Sequence, residues 1–131
     1  MFYAYELAIP ANTLQGLPTA QEVKVAPGIV TRVIVTFPPG CAKLAHLKIW
    51  RSYHQVWPTN EDGDFTADGE TFDYAEQYDV SDEPLVFKLI GWNEDDTYDH
   101  TIGIKMLIEA KPTVAAPSMT SAIRNAFGLR G

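Results

Sequence analysis

The chain has 131 residues, of which 46% are hydrophobic, so it is long enough for one domain with its own core. Its formal net charge of −7 disfavours binding to the phosphate backbone of a nucleic acid. A single cysteine, Cys41, excludes an intrachain disulfide and a four-thiolate zinc site, and no apolar run is long enough to span a membrane or form a signal peptide.

Short segments in which apolar and polar residues alternate run through the first 109 residues, and this period of two is typical of half-buried β-strands. In chain order they are Phe2–Ile9, 22–25, 29–37, 46–50, 71–74, 85–92 and 101–109, with a shorter candidate at 64–67. Glycine and proline turns separate them, and no period of 3.6 residues occurs before residue 118. The sequence therefore predicts an all-β fold.

The number of strands decides the architecture. Eight strands predict an antiparallel β-sandwich of the jelly-roll kind, whereas seven would predict an immunoglobulin-like sandwich. Because Cys41 has no second cysteine to pair with, the mark of true immunoglobulin domains is missing. We therefore expect a jelly-roll-like domain over residues 1–110, followed by an extended C-terminal tail.

The last segment, residues 111–131, has three basic residues and no acidic one. Its two prolines predict an extended linker, and a short helix over 121–127 follows. The candidate docking residues are Met119, Ile123 and Phe127, which would share one helix face, and Arg124, which adds positive charge. The pattern predicts either a peptide that orders when it docks on a partner or a neighbouring subunit, or a frayed terminus.

Residues suited to catalysis are few. Cys41 precedes His46 and Ser52 precedes His54, but neither pair lies in a nucleophile motif. The spacing before His46 is similar to the opening of the cupin metal motif, yet Lys48 occupies the next ligand position and an ammonium group does not bind a metal. We therefore expect a protein with no catalytic residue, metal ligand or cofactor.

Two acidic runs, 60–68 and 93–99, offer oxygen atoms of the kind that calcium prefers. Neither run has the spacing of a helix–loop–helix calcium site. Two interpretations stay open: a structural calcium ion, or, as is usual for such composition, solvated acidic loops.

Four aromatic residues are predicted to lie outside the core, beside polar loops: Trp50, Trp57, Trp92 and Tyr98. Large rings in such places suit a protein interface or stacking on sugar rings. The alternative is that they cap the open ends of the sandwich.

Three segments, FPPGCAKLAH at 37–46, VWPTN at 56–60 and GWNEDDTYDHT at 91–101, resemble small structural proteins of tailed phages and prophages. The resemblance implies a single sandwich domain, made in the host cytoplasm and located in the virion. It also implies trimers or larger rings on a capsid or tail, with the major capsid protein or another virion protein as the partner.

Two functions follow as expectations. The first is a non-enzymatic virion protein that self-assembles, preferably as a trimer, and decorates or stabilises a shell or tail. The second is a carbohydrate-binding module that uses exposed tryptophans. Binding to nucleic acid or to a membrane is expected in neither case.

Overall fold

The computed structural model describes residues 1–111, which form eight β-strands and contain no helix. The strands are β1 (Phe2–Ile9), β2 (Thr19–Lys24), β3 (Gly28–Phe37), β4 (Ala45–Arg51), β5 (His54–Trp57), β6 (Glu70–Val80), β7 (Val86–Asn93) and β8 (His100–Glu109). The predicted all-β class is confirmed for this part of the chain. The predicted tail beyond residue 111 lies outside the described residues.

The strands form two antiparallel sheets of four, in the orders β1-β8-β3-β6 and β2-β7-β4-β5. The first strand pairs with the last, β2 with β7, β3 with β6 and β4 with β5. These are the pairs of one long hairpin that has been rolled up, with alternate strand pairs assigned to opposite sheets. This topology is the jelly roll, so the predicted sandwich is confirmed and the seven-strand alternative was wrong.

The core lies between the sheets because each strand has one apolar face. In β8 the side chains of Ile102, Ile104, Met106 and Ile108 are fully buried, while the residues between them are more exposed. Aromatic rings fill the wider parts of the interior, where Trp57 packs against Phe87 with ring centroids 5.4 Å apart. Burial of this apolar surface is the main free-energy gain on folding.

One strand differs from the prediction. The segment 64–67 forms only an isolated bridge, in which Phe65 and Leu47 exchange both backbone hydrogen bonds, at 2.8 and 2.9 Å. The eighth strand is β5, which pairs with the end of β4 next to a register shift after Ile49. Three consecutive residues of β5 are buried, so it has no alternation by which the sequence could reveal it.

Four loops meet at one end of the sandwich, which we call the loop end: 10–18, 38–44, 58–69 and 94–99. Backbone hydrogen bonds join them, including Glu94 N–H to the Leu44 carbonyl (2.8 Å) and Asn93 N–H to the Thr13 carbonyl (2.9 Å). The opposite end carries the tight connection between β4 and β5, at Ser52 and Tyr53.

Replacing Gly91 with alanine tests the packing between the sheets. A β-carbon at Gly91 would lie 2.4 Å from Ile9 Cδ1 and 2.9 Å from Leu7 Cδ2, and both side chains are buried. We expect Gly91→Ala to lower the free energy of unfolding by about 1–3 kcal/mol, measured by urea denaturation. Gly103→Ala is the matched control, because its β-carbon would meet only Thr36 Cβ at 3.8 Å. Equal losses in the two variants would contradict the prediction.

Candidate interaction surfaces

The four aromatic residues that the sequence placed outside the core differ in exposure: two are buried, one is half-buried and one is exposed. Trp57 is 2% exposed and belongs to the core cluster, so its predicted place outside the core was wrong. Trp92 is 5% exposed but lies outside the core cluster, beside the acidic loop 94–99. Trp50 is half-buried on the outer face of the second sheet, and Tyr98 is 67% exposed at the loop end. The other candidate docking residues, Met119, Ile123, Arg124 and Phe127, lie outside the described residues.

Trp57 is a core residue because β5 turns it inward. Its indole N–H donates to Glu76 Oε2 at 2.8 Å, which satisfies its one polar atom. Its ring meets Tyr78 at an angle of 63°, with 5.4 Å between the centroids. A ring held on both sides in this way cannot stack on a sugar or a partner.

Trp92 lies on the outer face of the second sheet, as the parity of β7 requires, but other side chains cover it. The ring of His46 stacks on it at a centroid distance of 5.0 Å, and the Lys48 ammonium lies 5.9 Å from its centroid. His46 is itself held between Asp64 Oδ2, 2.6 Å from Nδ1, and Glu94 Oε1, 3.2 Å from Nε2. The side chains that cover Trp92 thus come from β4, whereas the acidic loop beside it in sequence was the basis for the predicted interface.

The loop 94–99 is held by a buried polar network. Asn93, 1% exposed, donates from Nδ2 to the carbonyls of Ile9 (3.3 Å) and Tyr98 (2.9 Å) and accepts from Asp95 N–H (3.0 Å). Asp95 accepts from Thr97 N–H at 2.9 Å, and its other oxygen lies 2.9 Å from His100 Nε2. The hydrogen bond from the Thr97 backbone, with that to His100, lowers the pKa of Asp95 below its ordinary value.

The same loop is joined to loop 10–18. Asn12 donates from its backbone N–H to the Asp95 carbonyl at 2.9 Å and from Nδ2 to the Asp96 carbonyl at 3.3 Å. Ala11 N–H donates to Asp99 Oδ1 at 2.9 Å. We call these two connected loops, 10–18 and 94–99, the loop platform.

The loop platform exposes large apolar side chains. Leu14 is 67% exposed, Leu17 is 79% exposed and Tyr98 is 67% exposed. Acidic residues are frequent in the loops of this end: Glu94, Asp95, Asp96 and Asp99 lie in the platform itself, and Asp62, Asp64 and Asp68 lie in loop 58–69. Exposed apolar groups within a charged rim are typical of a surface that contacts another macromolecule.

The acidic runs are engaged by the protein itself. In 93–99 the carboxylates of Asp95 and Asp99 accept from backbone N–H groups, and in 60–68 Asp64 bonds to His46 while Asp68 accepts from Gly40 N–H at 2.8 Å. Within residues 1–111 no group of three or more histidine, cysteine or acidic side chains is arranged to hold a metal ion. Several carboxylates of both runs are therefore bonded to the protein and not simply solvated, and the calcium interpretation stays a question for experiment.

The residues considered for catalysis lie apart. Cys41 is fully buried in the core, and burial raises the pKa of its thiol, which disfavours the reactive thiolate. His46 is engaged by two carboxylates on the outer face of the second sheet. Ser52 lies in the connection between β4 and β5, with φ at 59°.

Comparison with known proteins gives no relative: no protein-family model matches the chain, and no curated protein matches it. The resemblance to phage proteins therefore stays a prediction. Among the described residues no helix is long and apolar enough to cross a membrane.

Replacing Asp95 with asparagine tests the network by pH. Because the pKa of Asp95 is lower in the folded chain than in the unfolded one, its charged form stabilises the fold above about pH 4, and this contribution is lost as the pH falls through the folded-state pKa. We expect Asp95→Asn to unfold at a lower urea concentration than the parent at neutral pH, with the gap closing below about pH 4.

Asp96→Asn is the control, since the Asp96 side chain bonds only to the hydroxyl of the adjacent Thr97. We expect a smaller change there at every pH. A gap for Asp95→Asn that stays constant as the solution is acidified would contradict the proposed role of its charge.

Removal of calcium tests the acidic loops. Because carboxylates in both runs already accept hydrogen bonds from the protein, we expect an excess of chelator to leave the melting temperature unchanged in a thermal scan. A large fall in melting temperature that added calcium reverses would show that an ion is part of the fold.

Proposed function

We propose that this protein is a non-enzymatic structural component of a phage particle, which self-associates and docks on a capsid or tail through its loop platform. The observation that carries the proposal is the exposure of Leu14, Leu17 and Tyr98 on loops fixed by hydrogen bonds. The partner on the shell would be the major capsid protein or another virion protein, as the sequence resemblance implies.

The platform suits association because it is organised before any partner arrives. Loop 94–99 is tied internally by Asn93 and Asp95, and loop 10–18 is tied to it by Ala11 and Asn12. Ordering a flexible loop costs free energy on binding, and a loop already held in place avoids most of that cost. The exposed apolar side chains then contribute their burial to the complex.

The opposite charges of the tail and the loop end support docking of the tail of a neighbouring copy on the loop platform. Residues 110–131 contain three basic residues and no acidic one, whereas the loop end is rich in carboxylates. Strand β8 runs from the loop end, at His100, to the opposite end, at Glu109, so the tail leaves its own chain far from its own platform. The nine residues before the predicted helix, 112–120, span at most about 32 Å, so the tail can reach a neighbouring copy whose platform lies near the end of β8.

We therefore propose that the basic tail of one copy docks on the acidic loop platform of the next. Met119, Ile123 and Phe127 would supply the apolar contacts and Arg124 the charge. In a ring of three copies, each copy would dock its tail on the platform of the next copy. Every platform is then occupied by one tail, in agreement with the preferred trimer.

Substituting the platform tests the assembly. We expect the full chain to sediment as an oligomer, and the triple variant L14S/L17S/Y98S to sediment as a monomer, because the substitutions remove the exposed apolar contacts without touching the core. Analytical ultracentrifugation gives the mass, and circular dichroism verifies folding. Tyr53→Ser is the control, because Tyr53 is 94% exposed at the opposite end.

Deleting residues 112–131 separates the two halves of the contact. If tail and platform meet, the deletion lowers the mass as the triple variant does, and combining the two changes adds nothing. A parent chain that is monomeric at high concentration would contradict the proposal, as would an oligomer that both changes leave intact.

A further inference from the structure

The connection between β4 and β5 exposes an aromatic ring to solvent, next to a residue with an unfavourable backbone conformation. Tyr53 is 94% exposed, the highest value among the described large hydrophobic residues. Ser52 before it has φ at 59°, in the left-handed region that glycine or asparagine adopts more readily. Strained backbone under an exposed ring is a feature that functional sites often show.

Two depressions flank Tyr53 on the outer face of the second sheet. The larger, about 410 Å³, is lined by Glu22, Ser52, Tyr53, Pro84, Val86 and Lys88. The smaller, about 220 Å³, is lined by Trp50, Tyr53, His54, Gln55 and Glu61. Since both share Tyr53, they form one groove interrupted by the ring, which we call the Tyr53 groove.

Arg51 holds the walls of the larger depression in position. Its guanidinium donates from Nε to the Pro84 carbonyl at 3.0 Å and from Nη2 to the Asp82 carbonyl at 2.5 Å. It also lies over the ring of Tyr78, 5.8 Å from the centroid. These contacts join the end of β4 to the connection between β6 and β7, so the groove is formed in the free protein.

The smaller depression is lined by side chains whose hydrogen-bonding capacity the fold does not use. Gln55, 7% exposed, donates from Nε2 towards the carbonyls of Pro58 (2.8 Å) and Gly63 (3.1 Å), which fixes the orientation of its amide. Its Oε1 and the indole Nε1 of Trp50 are buried without a hydrogen-bond partner in the described part of the chain. Buried polar atoms are normally bonded, so these two are unusual; because neither atom is exposed, a ligand in the depression would reach them only if the lining side chains moved.

This combination points to a particular ligand chemistry. A sugar ring has an apolar face that stacks on an aromatic ring, and its hydroxyl groups both donate and accept hydrogen bonds. The groove supplies aromatic faces at Trp50 and Tyr53, acceptors at Glu22 and Glu61, and a donor at Lys88. Side chains of both charge signs line it, which disfavours an anionic ligand.

A proline-rich peptide also stacks on aromatic grooves, but its backbone offers mainly acceptors. The carboxylates of Glu22 and Glu61 would then lose water without gaining a donor, which costs free energy. We propose that the Tyr53 groove binds a neutral oligosaccharide, with one sugar ring on each side of Tyr53. This activity is separate from the proposed assembly, because none of the residues that line the groove belongs to the loop platform.

An array of neutral and anionic oligosaccharides, probed with the full chain, tests the proposal, and calorimetry then measures affinity for the best neutral ligand. We expect Tyr53→Ser to weaken binding about tenfold, the effect of losing one stacked ring, and Tyr53→Phe to retain it. Phe2→Ser is the matched control, since Phe2 is an exposed aromatic on β1 of the other sheet, and the affinity of this variant should be unchanged.

Several results would overturn the inference. They are an array without neutral ligands, a neutral ligand whose affinity Tyr53→Ser leaves unchanged, and binding of a proline-rich peptide in place of any sugar. The Tyr53→Ser variant should keep the oligomeric mass of the parent. Loss of sugar binding together with loss of mass would show that the ring acts through assembly and not through the groove.

Discussion

Each sheet of this sandwich can bury only one of its two faces against the other sheet. This constraint determines for almost every side chain whether it lies in the core or on the surface. The inward residues of β8 from Ile102 to Ile108, and those of β3 from Val30 to Phe37, are apolar and fully buried between the sheets. Chemistry that requires water or a ligand is therefore confined to the outer faces and the ends. Gly91 shows how tight the fit is, because even a methyl group there would collide with Leu7 and Ile9.

The two ends of the molecule are built in different ways. At the loop end, buried polar side chains such as Asn93 and Asp95 replace the apolar contacts that a loop cannot make, and they satisfy the backbone groups that no sheet pairs. At the opposite end a two-residue connection raises Tyr53 into solvent. The first arrangement is the surface that we propose for contact with another macromolecule, and the second forms the depressions on either side of one ring.

Much of the fold could be predicted from the sequence, because the alternation of apolar and polar residues along a strand can be recognised without knowing which strands pair with it. Segment Phe2–Ile9 was predicted with its observed bounds, and the alternation around Leu47 and Ile49 gave their inward direction correctly. Strand β5 was not predicted because it is short and follows a register shift. Its buried residues are consecutive and so do not alternate with exposed ones.

The surfaces were harder to predict, because exposure depends on neighbours that are distant in sequence. Trp92 lies beside the acidic loop 94–99, as the sequence indicated, but His46 from β4 covers its ring. The sequence places Trp57 beside a polar loop. Only its pairing with Ile49 shows that its ring faces Phe87 in the core. Tyr53 was overlooked because its significance lies in the depressions on either side of it, which no local pattern records.

Strand β6 forms one open margin of the first sheet, and its eleven residues include Glu70, Asp73, Glu76 and Asp79. Arg32 pairs with Asp73 and Lys111 pairs with Asp79, so exposed charged side chains of both signs lie along this edge. A strand from a second molecule would have to displace or desolvate these charges, which disfavours growth into a continuous ribbon through this edge.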